Sequence, residues 1–276
     1  MKDYPERSEH TQILHYTKNR GLAAARNTAL DHCQTEWLIH LDSDDSMALD
    51  IVEKMVKHQQ ETDADIVITD FIERYADKDM HITAFNGKNK RDYVLDIVRF
   101  NESHYIWGKL LRTSLYNENG IRVVEGVNVG EDWQQIVKLY YYANRIDTLH
   151  EQSVYYTKTR THALTYYTDT DEQSYRKYFC QILLLLDIIK DFLSDKDVEF
   201  QEEINKTIFN RVTNYMAYCA SRGFKQLYKE MEANANKLVR VYPYLQESIA
   251  ERIKYKVKKN FFLYRQLLML NNIARS

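Results

Sequence analysis

The sequence is short of the residues that break or staple a chain. It has two prolines and seven glycines in 276 residues, and six of the glycines fall between Gly21 and Gly130. From about residue 170 onward both are nearly absent, which leaves room for long helices and speaks against a turn-rich β architecture there. Three cysteines, Cys33, Cys180 and Cys219, lie far apart without C-x-x-C spacing. That argues against a disulfide framework or a zinc site and fits a reducing compartment, so a cytoplasmic location is expected. Apolar runs such as Ile182 to Leu186 fall far short of a membrane span, and the opening Met1-Lys-Asp-Tyr-Pro-Glu-Arg lacks the apolar core of a signal peptide. An excess of one charge is missing too: 38 basic against 40 acidic side chains give a formal net charge of −2. Bulk nucleic-acid binding is therefore not expected, and any electrostatic function is local. With 44% apolar residues the chain can bury a real core, as one large domain or two small ones.

What is present is most concentrated at Trp37-Leu-Ile-His-Leu41 followed by Asp42-Ser43-Asp44-Asp45. A short apolar run of strand length ends in three carboxylates within four residues. Carboxylates packed this closely repel one another and are tolerated where a cation or several hydrogen-bond donors sit among them. In open α/β sheets ligands bind outside the carboxyl ends of strands, so this pattern suggests a divalent cation site. The plain alternative is an Asp-rich loop that caps the next helix through Asp45 or Ser46. A third reading is an EF-hand loop, since Asp42, Asp44, Ser46, Asp50 and Glu53 fall at positions 1, 3, 5, 9 and 12. Met47 stands where that loop needs glycine, and the preceding segment is strand-like rather than helical, which count against it.

Around this motif the first half alternates. Gln12 to Tyr16 is expected to be a strand, Leu22 to Cys33 an Ala-rich helix, Ala48 to Gln60 a helix and Asp65 to Thr69 a strand, the order of a largely parallel sheet. Helical patterning returns at Arg91 to Phe100 and Asp132 to Ala143, with short closing strands at Ile146 to Leu149 and Val154 to Thr157. Glu131 and Asp132 would open a helix, where carboxylates meet the favourable end of its dipole. Apolar residues then recur at helical period over Tyr175 to Leu193, Ile204 to Ala220 and Phe224 to Val241. The last segment, Arg252 to Arg275, interleaves lysines and arginines with Phe261, Phe262, Leu263 and Leu267. Such a helix suits an anionic membrane surface; equally, it can dock on the domain and leave its lysines in water.

Taken in order, Asn19-Arg-Gly-Leu-Ala-Ala-Ala-Arg26-Asn27, the strand ending in Asp42-Ser-Asp-Asp45, Trp107-Gly-Lys-Leu110, Gly130-Glu131-Asp132 and Val154-Tyr-Tyr-Thr157 resemble the motifs of family 2 glycosyltransferases of the GT-A fold. The resemblance covers roughly residues 10 to 170. It implies an α/β, Rossmann-like, mostly parallel sheet over residues 1–168, followed by a helical extension over 169–276 like the variable tails of bacterial enzymes that build capsule or lipopolysaccharide. The implied reaction is inverting transfer of a sugar from a nucleotide-diphosphate donor to a saccharide or lipid-linked saccharide acceptor, aided by Mg²⁺ or Mn²⁺. Asp132 matches the family's base, and Glu131 would orient it or bind acceptor hydroxyls. Asp44 would hold the metal, with Asp42 at the donor ribose or the metal's water shell. Arg26 and Asn19 would meet the nucleotide, His162 the phosphates, and Trp107 and Lys109 the acceptor. The basic segment 252–275 would allow a peripheral position at the inner face of the cytoplasmic membrane.

One departure stands out. Such domains open with a strand-helix-strand unit of about 30 residues or more, whereas 18 residues precede Asn19. The chain therefore reads as starting inside the fold, and weak nucleotide-sugar binding and poor turnover are expected of it alone. Two other readings compete: a non-catalytic scaffold or interaction protein at a membrane surface, and a nucleotidyltransferase, whose Gly-rich phosphate loop is not seen.

Overall fold

In the computed structural model, residues 10–101, 104–127, 129–158, 171–246, 249–261 and 264–266 are described. Helix α1 (Leu22–His32) leads to β1 (Trp37–Leu38) and β2 (Ser46–Met47). Then come α2 (Ile51–Thr62), β3 (Ile66–Arg74), β4 (Asp79–Ile82), α3 (Lys90–Arg99), β5 (Lys109–Arg112), α4 (Thr113–Glu118), α5 (Glu131–Tyr142) and β6 (Ile146–Thr157). Then follow α6 (Glu172–Leu193), α7 (Val198–Arg222), α8 (Lys225–Val241) and α9 (Ile249–Lys258).

The strands form one sheet in the order β1-β5-β3-β6-β2, with β4 on β3. Among the described residues only the central pair, β3 with β6, is parallel; the other four pairings are antiparallel. The sheet is thus mixed rather than mostly parallel. The reason is local: β5 and β4, two short strands the sequence pattern did not reveal, both run against β3. Strand β3 is central because Ile66, Val67 and Ile68 in succession are apolar and can be covered on both faces. Alternation sorts them. Ile66 and Ile68 join the core beneath α3 and α5, while Val67 packs with Leu110, Ile51 and Met55 beneath α2.

Three expectations are corrected. Residues 12–16 form no strand: they lie exposed beside α1, with Ile13 and Leu14 in solvent, because no strand takes up their backbone. The strand after Trp37 is two residues long, since Ile39 to Leu41 leave the ladder with β5. The two closing strands are one, β6, whose register against β3 shifts around Asp70.

The helical extension is built as its sequence period suggests. Along α6, Tyr175, Phe179, Ile182, Leu186, Ile189 and Leu193 recur at three- and four-residue steps and are all buried. One apolar cluster runs from Leu30 and Ile66 through α3 and α5 into α6, α7 and α8. Polar ties reinforce it: Thr207 Oγ1 donates to the Val98 carbonyl at 2.9 Å, and Arg91 and Arg99 of α3 pair with Asp197 and Glu203 at the start of α7. In α9, Tyr255 is buried while Arg252, Lys254 and Lys256 are exposed. Residues 267–275 of the expected basic helix lie outside the described residues. Among the described residues no helix is long and apolar enough to cross a membrane.

Candidate active site

The site is assembled on helix α1. Its inner face carries Ala23, Arg26, Asn27 and Leu30, spacings of three and four that fall on one side of a helix. Ala23 and Leu30 fit a core face; Arg26 and Asn27 need polar partners. Asn27 finds them in the backbone of Val123, donating to its carbonyl and accepting from its amide, both at 2.8 Å. This reciprocal pair fixes α1 against the segment that leads to α5.

Arg26 is 6% exposed, and its guanidinium is ringed by carboxylates from two directions. Nη2 meets Asp42 Oδ1 at 3.1 Å, Nη1 meets Glu131 Oε1 at 3.1 Å, and Nη1 also pairs closely with Asp132 Oδ1. The other oxygen of Asp132 accepts from the Ile106 backbone amide at 3.1 Å. Burial draws the guanidinium's proton affinity down, but the three carboxylates outweigh it and raise its pKa. Burial pushes the Asp132 carboxyl up to about 7, against the pull of Arg26 and with the like charge of Glu131 adding to the rise. Glu131 is shifted upward as well, again chiefly by burial. Asp132 is therefore a carboxylate held near the middle of the physiological range and anchored at both oxygens.

Gly130 sets the approach of this pair. It caps α5 with φ +70°, a left-handed conformation that costs side-chain-bearing residues about 1–2 kcal/mol, and a Cβ there would run into the buried Leu185 side chain of α6. Gly130→Ala is expected to lower stability by roughly 2 kcal/mol, read by denaturant unfolding; an unchanged midpoint would show that α5 can shift without cost.

The acidic turn lies on the other side of Arg26. Its backbone closes from Asp45 N to Asp42 O at 3.1 Å, and Asp45 Oδ1 accepts from the Thr157 amide at 3.1 Å, tying the turn to the end of β6. Asp44, at the tip, is exposed. Among the described residues no three His, Cys, Asp or Glu side chains converge to hold a metal ion by themselves. A single exposed carboxylate still fits Mg²⁺, which is commonly held by one or two carboxylates together with substrate phosphates. Asp42 is committed to Arg26 in this arrangement.

Other sequence candidates separate by position. Asn19 turns the chain into α1, its side-chain oxygen accepting from the Gly21 amide at 2.8 Å. Trp107 is buried among Phe71, Tyr105 and Tyr156, and Lys109 is buried with Nζ donating to the Tyr105 carbonyl at 2.8 Å. Both stand one or three residues beyond Ile106, whose amide holds Asp132. His162 lies outside the described residues. Sequence reasoning missed His40 and Tyr116, which meet at 3.3 Å next to Arg26. Burial and the nearby guanidinium lower the His40 pKa to about 4, so the ring is neutral. The available signal was alternation: in an extended strand His40 and Asp42 project from the same face.

Comparison with known proteins shows what the chain is similar to. Residues 1–112 match the model of glycosyl transferase family 2. Over that stretch the chain is similar to family 2 glycosyltransferases. It is 27% identical over 176 residues to the glycosyltransferase GlyA of Streptococcus pneumoniae, covering 59% of this chain and 25% of that protein. It is 25% identical over 150 residues to the teichoic acid poly(glycerol phosphate) polymerase of Staphylococcus epidermidis, covering 52% of this chain and 20% of that protein. The chain thus spans a quarter or less of the length of these relatives. Staphylococcus aureus TarS, solved in complex with UDP-GlcNAc, superposes with a TM-score of 0.63 at 18% identity, covering 96% of this chain and 75% of the other. That likeness is one of fold: the chain has the GT-A type of α/β architecture expected from its motifs, with a mixed sheet and a helical C-terminal part.

Proposed function

We propose that this chain transfers a sugar from a nucleotide-diphosphate donor to an acceptor hydroxyl, with inversion, in the synthesis of a bacterial cell-surface polysaccharide or teichoic acid. The observation that carries the reading is the shared guanidinium: Arg26 holds Asp42 of the acidic turn and Asp132 of α5 at once, so the donor side and the base side belong to one site. The donor class is supported by the likeness to TarS, solved with UDP-GlcNAc, and the polymer class by the likeness to a teichoic acid polymerase.

Inversion by one displacement needs a base on the acceptor side. Asp132 removes the proton of the acceptor hydroxyl as its oxygen bonds to the anomeric carbon, and the bond to the donor diphosphate breaks with its electron pair leaving on the diphosphate oxygen. An ordinary carboxylate is a weak base for this step; one near 7 is matched to neutral pH. As Asp132 gains the proton its attraction to Arg26 falls, and Asp42 and Glu131 keep the guanidinium in place. Glu131 presents its remaining acceptor capacity to acceptor hydroxyls. Asp44 is the residue that would hold Mg²⁺ or Mn²⁺; when bound, such an ion supplies Lewis-acid relief of the charge that builds on the diphosphate. Asn19 and Asp42 stand on the donor side, Trp107 and Lys109 on the acceptor side. The exposed Arg252, Lys254 and Lys256 support contact with an anionic membrane surface.

The test is thermal. Nucleoside diphosphates with Mn²⁺ are expected to raise the melting temperature of the wild-type chain, and Asp44→Ala is expected to abolish the metal-dependent part of that rise. No stabilisation by any nucleoside diphosphate would favour the non-catalytic scaffold.

A further inference from the structure

The last turn of α3 takes no part in the reaction steps above, yet its backbone is strained. Phe100 caps the helix with φ +64° and ψ +32°, a left-handed conformation that glycine adopts freely and a bulky aromatic residue takes only at a cost. Among the described residues the other non-glycine residue with positive φ is Asp63, and aspartate tolerates that region better. A ring that merely filled space would not need this backbone, because α3 could end on a glycine as α7 does at Gly223. Strain of this kind persists where the surroundings over-determine it, and it gathers at functional geometry.

The surroundings of Phe100 come from three elements. Arg211 of α7 sets its guanidinium 3.6 Å from the ring centroid, a cation–π contact. Trp133 of α5 packs edge-on with centroids 4.2 Å apart, and the His104 ring lies at 4.1 Å. The carbonyls of the same turn are shared out in the same directions. Ile97 accepts from Trp133 Nε1 at 2.9 Å, Val98 from Thr207 Oγ1 of α7 at 2.9 Å and Asp96 from the Asn101 amide at 3.2 Å. Two branches then lead from the ring to one carboxyl group. Trp133 directly follows Asp132 on α5. On the other branch His104 stacks on Tyr105 with centroids 5.7 Å apart, and Tyr105 precedes Ile106, whose amide donates to Asp132 Oδ2 at 3.1 Å.

We infer that Phe100 is a positioning residue for Asp132: its ring, pinned by Arg211 of the helical extension, holds the first turn of α5 and the segment 104–106 at the spacing at which the Ile106 amide meets the Asp132 carboxyl group. Its effect on transfer rests on the function proposed above; the anchoring of Asp132 does not. The experiment is residue-resolved amide hydrogen exchange on the full chain, read at Ile106 and, for comparison, at Val67 and Ile68 of β3. Phe100→Asn keeps a residue that accepts the left-handed backbone and removes the ring, while Arg211→Met removes the cation and keeps its length. Each is expected to speed exchange at Ile106 about tenfold, the equivalent of one such contact, with Val67 and Ile68 at their wild-type rates. Arg211→Lys is expected to restore most of the protection, since an ammonium can also sit over a ring. In Phe100→Asn the turnover of sugar transfer is expected to fall about ten- to a hundredfold with the donor KM unchanged, the effect of a displaced base. Unchanged exchange at Ile106 in both variants would overturn the inference. So would acceleration of Val67 and Ile68 to the same degree, the mark of a ring that serves global stability alone. Should Ile106 respond as expected while Asp132→Asn turns over like the wild type, the positioning stands and Asp132 is not the base; transfer that depends on Asp132 beside an unresponsive Ile106 has the opposite meaning.

Discussion

Asp132→Asn is expected to lower the turnover of sugar transfer by roughly 10²–10⁴-fold, the contribution of a positioned general base, with little change in the donor KM. The replacement keeps the shape of the side chain and removes its basicity. Its oxygen can serve Arg26 or the Ile106 amide but not both, so rates are compared at equal folded fraction, measured by circular dichroism. Wild-type turnover is expected to rise with pH and level off above about 7, where Asp132 is ionised, and the residual rate of the variant should be flat across that range. Stability follows the same group with the opposite slope. Asp132 has its pKa raised on folding, chiefly by burial, so the native state binds the proton more tightly than the unfolded chain. The stability it confers is full below the unfolded carboxylate range and is lost as pH rises through 7. Wild type should therefore lose stability relative to Asp132→Asn between pH 4 and 7 and run parallel to it above. A variant with wild-type turnover would remove Asp132 from the chemistry.

Removing the guanidinium is expected to damage the fold itself. Arg26→Met keeps the length of the side chain and leaves Asp42, Glu131 and Asp132 without their common partner. Breaking a buried ion pair from one side costs about 3–5 kcal/mol, because a charge is stranded where water cannot reach it. Denaturant unfolding at pH 8 should register a loss of that size. At pH 5 the loss should shrink, because Glu131 and Asp132, both shifted upward, take up protons and cease to need the cation. Adding Asp132→Asn to Arg26→Met should recover part of the stability for the same reason, a non-additivity expected of groups in one network. Equal stability of Arg26→Met and wild type at both pH values would mean that the cluster is solvated rather than structural.

The parts of this molecule that could be read from its sequence are those in which a short stretch carries its own meaning. Asp42 and Asp132 were visible because each sits in a local motif, and the helices from α5 to α8 because their apolar period runs for many turns. The ties between motifs could not be read this way. Arg26 meets Asp132 across 106 positions of sequence, and a helix arginine gives no sign of which distant carboxylate it will find. Residues 12–16 carry a strand-like composition, yet a strand forms only where a neighbour accepts its hydrogen bonds. β6 read as two pieces because the polar His150-Glu-Gln152 interrupts its apolar pattern; in the fold that interruption sits where the register against β3 slips. Lys109–Arg112 gave too short a signal to mark a strand, and its position between β1 and β3 is what turns the sheet from parallel to mixed.

The contact of Leu185 with Gly130 gives the variable half of such a chain a say in the chemistry. Helix α6 rests against the residue immediately before Glu131 and Asp132, so a bulkier or smaller side chain at position 185 would tilt the first turn of α5 and with it the carboxylates. Grafting a foreign tail onto this domain is therefore expected to shift those carboxylates, unless the graft brings a side chain of leucine's size to that one point.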